Sequence, residues 1–146
     1  MTNLNSKQKG NLTELQSISA FYELGYQVSI PYGENSRYDF IADIDGKLIK
    51  IQCKTAREID EGAIEFSCRS VRVNSHSCIE RQYTKEEIDF FCTYWKGKCY
   101  LVPVEEVSVA KKLRFIPPKN KQKIGISYAK DYELSMQLEK IKEKLN

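Results

Sequence analysis

Apolar residues recur at two different periods along this chain, and the switches between them mark its elements. From Asn11 to Tyr22 the spacing is helical: Leu12, Leu15, Ile18 and Tyr22 form a stripe, with Phe21 beside it. Asn11 can cap such a helix, Glu14 three residues later can complete a capping box, and Gly25 is a natural stop. Met1 to Lys9, ahead of it, is polar and expected to be loose. Period two then takes over. Tyr26, Val28 and Ile30 alternate as a strand closed by Pro31, and Tyr32 to Ser36 reads as a short loop. Residues 38 to 54 carry the clearest signal, a strand, an Asp45-Gly46 turn and a second strand, which is the pattern of a β-hairpin. Tyr38, Phe40, Ala42 and Ile44 share one face of the first strand, and Ile49, Ile51 and Cys53 share one face of the second.

The pattern weakens after the hairpin. Thr55 to Gly62 is expected to be a polar bridge, Ile64, Phe66 and Cys68 a further strand, and Ser70 to Gln82 the least regular stretch. Thr84 and Glu87 have capping-box spacing and predict a short helix near Ile88. Phe90 to Trp95, Lys96-Gly97-Lys98 and Cys99 to Val104 read as a second hairpin, and Leu113 to Ile116 as a last strand stopped by Pro117-Pro118. From about 131 to 145 the helical period returns in Leu134, Leu138, Ile141 and Leu145. Without an internal repeat or a visible boundary, the order of elements predicts one α/β domain over residues 1–146, a central mixed sheet flanked by helices.

Composition narrows the class without deciding it. The chain has 146 residues, enough to bury a real core, with 41% hydrophobic and 29% charged residues. Net charge is +3, from 23 Lys and Arg against 20 Asp and Glu, too mild by itself to imply a nucleic-acid partner. The five cysteines show no Cys-x-x-Cys, and neither a signal peptide nor a membrane-spanning apolar run is visible. A reduced, cytoplasmic setting without membrane attachment is expected, with the thiols packed as small hydrophobes. His76 and Cys78 fit no zinc spacing with Cys92 and Cys99.

Chemistry collects at the open end of the first hairpin. If the hairpin closes at Asp45-Gly46, then Asp39, Gln52 and Lys54 converge there, and a helix packed on the sheet can add Glu14. Two carboxylates suit a magnesium-type cation, which takes hard oxygen ligands and leaves room for water and a substrate phosphate. The backbone carbonyl of Cys53 can supply a further oxygen, and Lys54 can stabilise charge developing on a phosphate or help water to attack it. Each residue also has a plainer role: a cap for Glu14, a solvated strand end for Lys54, edge and turn positions for Asp43 and Asp45. The stretch from Ala110 to Ile124 carries Lys111, Lys112, Arg114, Lys119, Lys121 and Lys123 with no acid, either a solvated loop or a phosphate-contacting surface. Arg69, Arg72 and Arg81, with Asn74 and Ser75, offer the side chains that read guanine and adenine edges.

Four runs together carry a resemblance: Gly10-Asn11-Leu12-Thr13-Glu14, Leu24-Gly25-Tyr26-Gln27-Val28, Arg37-Tyr38-Asp39 and Ile51-Gln52-Cys53-Lys54. They resemble the core of the PD-(D/E)XK nucleases over residues 10–57, and more narrowly the homing endonucleases of that fold encoded in group I introns. Asp89-Phe90-Phe91 and Tyr100-Leu101-Val102-Pro103 look like that group's later strands. The resemblance implies a catalytic set of Glu14, Asp39, Gln52 and Lys54, with Glu14, Asp39 and the Cys53 carbonyl holding Mg2+ or another divalent cation such as Mn2+. Gln52 departs from the Asp or Glu usual in the superfamily. It offers an amide oxygen but one negative charge fewer. The intron-encoded branch is similar in tolerating Gln here, whereas resolvases usually have Glu.

The implied function is site-specific, metal-dependent hydrolysis of double-stranded DNA. The alternatives are a structure-selective nuclease like the Holliday-junction resolvases, and a DNA-binding protein of this fold that no longer cuts. On the leading reading the expected DNA contacts are Arg37, Arg57, Arg69, Arg72, Arg81, Lys111, Arg114, Lys119, Lys121 and Lys123. Cutting both strands with one active site per chain implies a symmetric oligomer, a dimer or a tetramer.

Overall fold

The computed structural model describes residues 3–60, 62–73 and 75–146, apart from the side chains of Arg72 and Val73. In chain order the elements are α1 (Ser6–Glu23), β1 (Gln27–Ser29), β2 (Phe40–Ile44), β3 (Lys47–Cys53), β4 (Arg57–Asp60) and β5 (Ala63–Ser67). They continue with β6 (Arg69–Val73), β7 (Cys78–Gln82), β8 (Phe90–Trp95), β9 (Lys98–Pro103), β10 (Ala110–Arg114) and α2 (Leu134–Glu143). Five strands form the central sheet in the order β1-β2-β3-β8-β9. It is mixed: β3 and β8 run parallel, and its other neighbours antiparallel. A second sheet, β10-β5-β4, covers one face, and β6 and β7 form a two-stranded sheet of their own.

The central sheet is buried from both sides. Toward the helices lie Phe21, Phe40, Ile44, Ile51, Leu101 and Leu138, with the Phe21 and Phe40 rings edge to face at 5.5 Å. Toward the second sheet lie Phe91, Ile64, Phe66, Val102 and Leu113. This explains the two strand patterns: β2 alternates buried and half-buried residues, while β9 is buried at four consecutive positions. The hairpin turn at Asp45-Gly46 has φ of 52° and 95°, the left-handed pair that a two-residue turn requires. Cys53, Cys68, Cys92 and Cys99 are buried free thiols, and Cys78 is exposed. No described helix is long and apolar enough to cross a membrane.

Several expectations need correction. The first helix begins before Asn11: Asn5 and Gln8 form the capping box, at 2.9 and 3.0 Å, so Ser6 to Lys9 is helical rather than loose. Capping satisfies backbone groups and needs no buried residue, so a wholly polar first turn gives no periodic warning. The apolar stripe of that helix also faces the wrong way. The buried face is Thr13, Ser17 and Phe21, while Leu15 and Tyr22 are 64% and 70% exposed. Ser17 and Thr13 donate to carbonyls one turn back, at 2.7 and 3.0 Å, and can be buried without an unmet hydrogen bond.

The expected polar bridge contains β4, and the irregular stretch is the β6–β7 hairpin. The Glu87 carboxylate accepts from the Thr84 N–H and hydroxyl at 3.1 and 3.2 Å, but only a turn follows. The last strand is Ala110–Arg114 rather than residues 113–116, and Leu145 lies beyond the end of α2.

Candidate active site

The open end of the β2–β3 hairpin is shaped by backbone pairing. Asp39 continues the ladder one residue beyond β2, donating its N–H to the Ile51 carbonyl at 2.8 Å. Its Oδ2 accepts the Cys53 N–H at 2.8 Å, which fixes the carboxylate against the end of β3. Lys54 continues the parallel pairing with β8, its N–H donating to the Cys92 carbonyl at 2.9 Å. Helix α1 is tied to this end through the Thr13 and Thr55 hydroxyls, 3.1 Å apart, one residue from Glu14 and Lys54 respectively. Glu14 and Asp39 consequently line one cleft of about 200 Å3, together with Glu34, Ser36 and Tyr38.

The electrostatics of these groups are coupled. Burial pushes the Glu14 carboxyl above its ordinary pKa, and the negative charge of Asp39 pushes it further. Burial also raises Asp39, against the opposing pull of the Cys53 N–H and the Lys54 ammonium. Burial lowers Lys54, partly offset by the attraction of Asp39. Two carboxylates that resist sharing a cleft as anions are a set that a divalent cation relieves. Among the described residues no three His, Cys, Asp or Glu side chains cluster as a ready metal site. A magnesium-type ion needs fewer, since one or two carboxylates, waters and a phosphate suffice. The residues present therefore fit such an ion, and the Gln52 amide nitrogen lies 3.5 Å from the Cys53 carbonyl.

Lys54 is held from its far side. Its Nζ donates to the Arg69 carbonyl at 2.8 Å and lies 5.3 Å from the centre of the Tyr83 ring. Tyr83, Glu34 and Ser36 carry no periodic or motif signal in the sequence. Only the folded arrangement brings them to this end. Burial pushes the thiol of Cys68 up to about 12 despite the nearby Lys54, which makes it a poor nucleophile.

The expected DNA contacts whose side chains are described divide into three groups. Two are internal braces. Arg37 donates to Glu87, Ser70 and the Gln82 carbonyl at 2.8, 2.6 and 3.0 Å, and Arg114 is 7% exposed with its Nε on the Ile116 carbonyl. Arg114 is buried and Arg37 half-buried, and both are bonded within the chain. Arg57, Arg69 and Arg81 are in ion pairs with Glu65, Glu80 and Glu87 near the surface. Lys111 lies 5.0 Å from the Tyr132 ring centre, while Lys119, Lys121 and Lys123 sit in an exposed loop. Arg72 belongs to β6, but its side chain, like Asn74 as a whole, lies outside the described residues.

A helical carboxylate, a carboxylate at the end of a strand and a lysine on the adjoining strand form the arrangement that the four sequence runs imply. The family model described as PD-(D/E)XK endonuclease matches residues 4–135. The chain belongs to the PD-(D/E)XK endonuclease family. Members of this family generally use divalent metal ions, in keeping with the oxygen donors collected here. Among solved structures, the bacterial homing endonuclease I-Ssp6803I is similar over 98% of both chains, with a TM-score of 0.78 and 21% sequence identity. That likeness is one of fold. A comparison with curated proteins finds no match.

Proposed function

We propose that this PD-(D/E)XK endonuclease is a divalent-metal-dependent, site-specific enzyme of the homing type that cuts double-stranded DNA. The observation that carries the reading is the single cleft shared by Glu14 and Asp39, with the Lys54 ammonium close enough to act on Asp39. Bound there, a magnesium or manganese ion supplies Lewis-acid polarisation of the scissile phosphate. Glu14, Asp39 and the Cys53 carbonyl would hold it. Asp39 keeps its orientation through the Cys53 N–H. Lys54, with its pKa lowered by burial, gives up a proton more readily than an ordinary lysine and can receive one from the attacking water. In its charged form it stabilises the negative charge that develops on the phosphate. Gln52, half-buried on the same strand, orients the donors through its amide.

Cutting both strands takes two such sites, so the active species is a homo-oligomer, dimeric or tetrameric. The outward face of α1 supports self-association: Leu12, Leu15 and Tyr22 form an apolar stripe left exposed among the described residues. The test is cleavage of a genomic DNA library with magnesium, followed by sequencing of the ends. The reading expects ends that share one recognition sequence, and little preference for a four-way junction over linear duplex. Ends without common sequence would remove site specificity, and preferred cutting of junctions would make the enzyme structure-selective instead.

A further inference from the structure

The hairpin of β6 and β7 belongs to neither larger sheet. Its residue pairs run from Arg69 opposite Gln82 to Val73 opposite Cys78. Every residue of β7 is exposed, and Val71 and Ile79 show 55% and 52% of their surface to solvent. A two-stranded ribbon with one strand wholly exposed is not stable alone, so the hairpin depends on what holds its base. Arg37 is the clamp there. Its guanidinium bonds Ser70 on β6, the Gln82 carbonyl on β7 and Glu87 beyond it, and lies 3.8 Å over the Tyr83 ring. Glu87 also pairs with Arg81 at 2.9 Å. The same base reaches the catalytic end, because the Arg69 carbonyl is the acceptor for Lys54 Nζ at 2.8 Å.

We propose that the β6–β7 ribbon is a base-reading arm that enters the major groove of double-stranded DNA, and that Arg37 is the positioning residue that keys this arm to Lys54. The proposal rests on the nuclease reading of the Lys54 site. The major groove admits a two-stranded ribbon, and a ribbon in that position needs both faces and both edges free of the protein. Strands of this length extend about 17 Å, the rise of about five base pairs. Residues 69–82 carry three arginines against one glutamate, the sign that suits a duplex. Gln82 lies on the exposed strand, and its amide carries the donor and acceptor that suit an adenine edge. Because Lys54 bonds to the first residue of the arm, reading and cutting are held at a fixed offset.

The test uses the full chain and two libraries. In the first, random-sequence duplexes are selected by binding with calcium in place of magnesium, and the bound pool is sequenced. Val71 and Ile79 face opposite sides of the ribbon, since Val71 stands opposite Glu80 and Ile79 opposite Arg72. Val71→Asn and Ile79→Asn therefore probe one face each. At least one should shift base preference by about tenfold within a single window of about five base pairs. Two variants with the parent's preferences, or a parent that selects no sequence, would overturn the arm.

In the second, the selected sequence is cut with magnesium and the ends are mapped for the parent, Arg37→Ala and the milder Glu87→Gln. The parent should cut at one offset from the bases it reads. Loosening the clamp should scatter the cut over neighbouring phosphates, which a loss of folded protein alone would not do. An unchanged single offset in both variants would overturn the keying. A parent that selects a sequence but cuts nothing sinks the nuclease reading and leaves the arm standing. One that cuts specifically while the ribbon variants change nothing sinks only the arm.

Discussion

Two hairpins meet at the candidate active site, and they are held by opposite means. The β2–β3 hairpin buries a whole face, with Phe40, Ala42, Ile44 and Ile51 closed off from solvent, and its turn takes the left-handed φ values that Asp45-Gly46 favours. The β6–β7 hairpin has the same antiparallel ladder over the same number of pairs, but β7 has no buried residue. At its base it is held by the Arg37 guanidinium, the Arg81–Glu87 ion pair and the Lys54–Arg69 hydrogen bond. Burial writes a strand into the sequence as alternation. Hydrogen bonding alone leaves no such trace.

The sharpest way to break this comparison is to remove one side chain from each hairpin. Phe40→Ala empties a closed site between the sheet and α1 and should cost about 3–5 kcal/mol. Ile79→Ala, on the open ribbon, should stay within about 0.5 kcal/mol. Urea denaturation of both proteins measures the difference. Equal losses would mean that the ribbon has a buried face after all.

The second contrast lies within the β2–β3 hairpin, between core positions and the half-buried Gln52. Gln52→Ala should fold like the parent yet lose most cleavage, at least about tenfold or 1.4 kcal/mol of transition-state stabilisation. Gln52→Glu adds a charge beside Asp39 and should keep some cleavage at a lower magnesium requirement. Cleavage rate against magnesium concentration separates the three proteins, and a Gln52→Ala protein equal to the parent at every concentration would reduce Gln52 to a strand residue.

Glu14 sharpens the comparison from the helix side. Burial and Asp39 hold its carboxyl above the ordinary range, so the folded chain binds that proton more tightly than the unfolded chain does. The associated stability is complete below the unfolded pKa and is lost as pH rises through the raised folded value. Glu14→Gln should therefore match the parent in acid and melt higher than it at neutral pH in metal-free buffer. Magnesium should raise the parent's Tm and narrow the gap. A parent that is the more stable at neutral pH without metal would show that the carboxylates do not oppose one another.

The smallest effect belongs to the loop after β10. Neutralising Lys119, Lys121 and Lys123 should weaken binding to all duplexes alike. It should also flatten the salt dependence, by about one log–log unit for each phosphate that the loop no longer neutralises. An unchanged slope would place these lysines away from DNA.

How much was legible follows from the same physics. Asp39, Gln52 and Lys54 could be placed together from the sequence because period-two burial and an Asp-Gly turn fixed the register of the strands that carry them. Helix α1 was legible as a helix but not in orientation, because its buried face consists of Thr13 and Ser17 with Phe21, while leucines face outward. Small hydroxyl residues that bond to their own helix pack closely without an apolar signature. The role of Arg37 was invisible for another reason. Its partners, Ser70, Gln82 and Glu87, lie 33 to 50 residues away, and no local pattern encodes a contact of that kind.

The central claim is that Glu14 and Asp39, which share one cleft, act with Lys54 in metal-dependent hydrolysis of DNA. The most direct measurement is plasmid cleavage across a magnesium titration by the parent, Asp39→Asn and Lys54→Ala, with duplex binding measured alongside. The account predicts metal-dependent cutting by the parent. It predicts none by Lys54→Ala, whose binding stays within a few fold because one cation is a small share of the electrostatic affinity. Asp39→Asn should likewise fail to cut at ordinary magnesium. Full activity in Lys54→Ala, under the same metal-free controls, would contradict it.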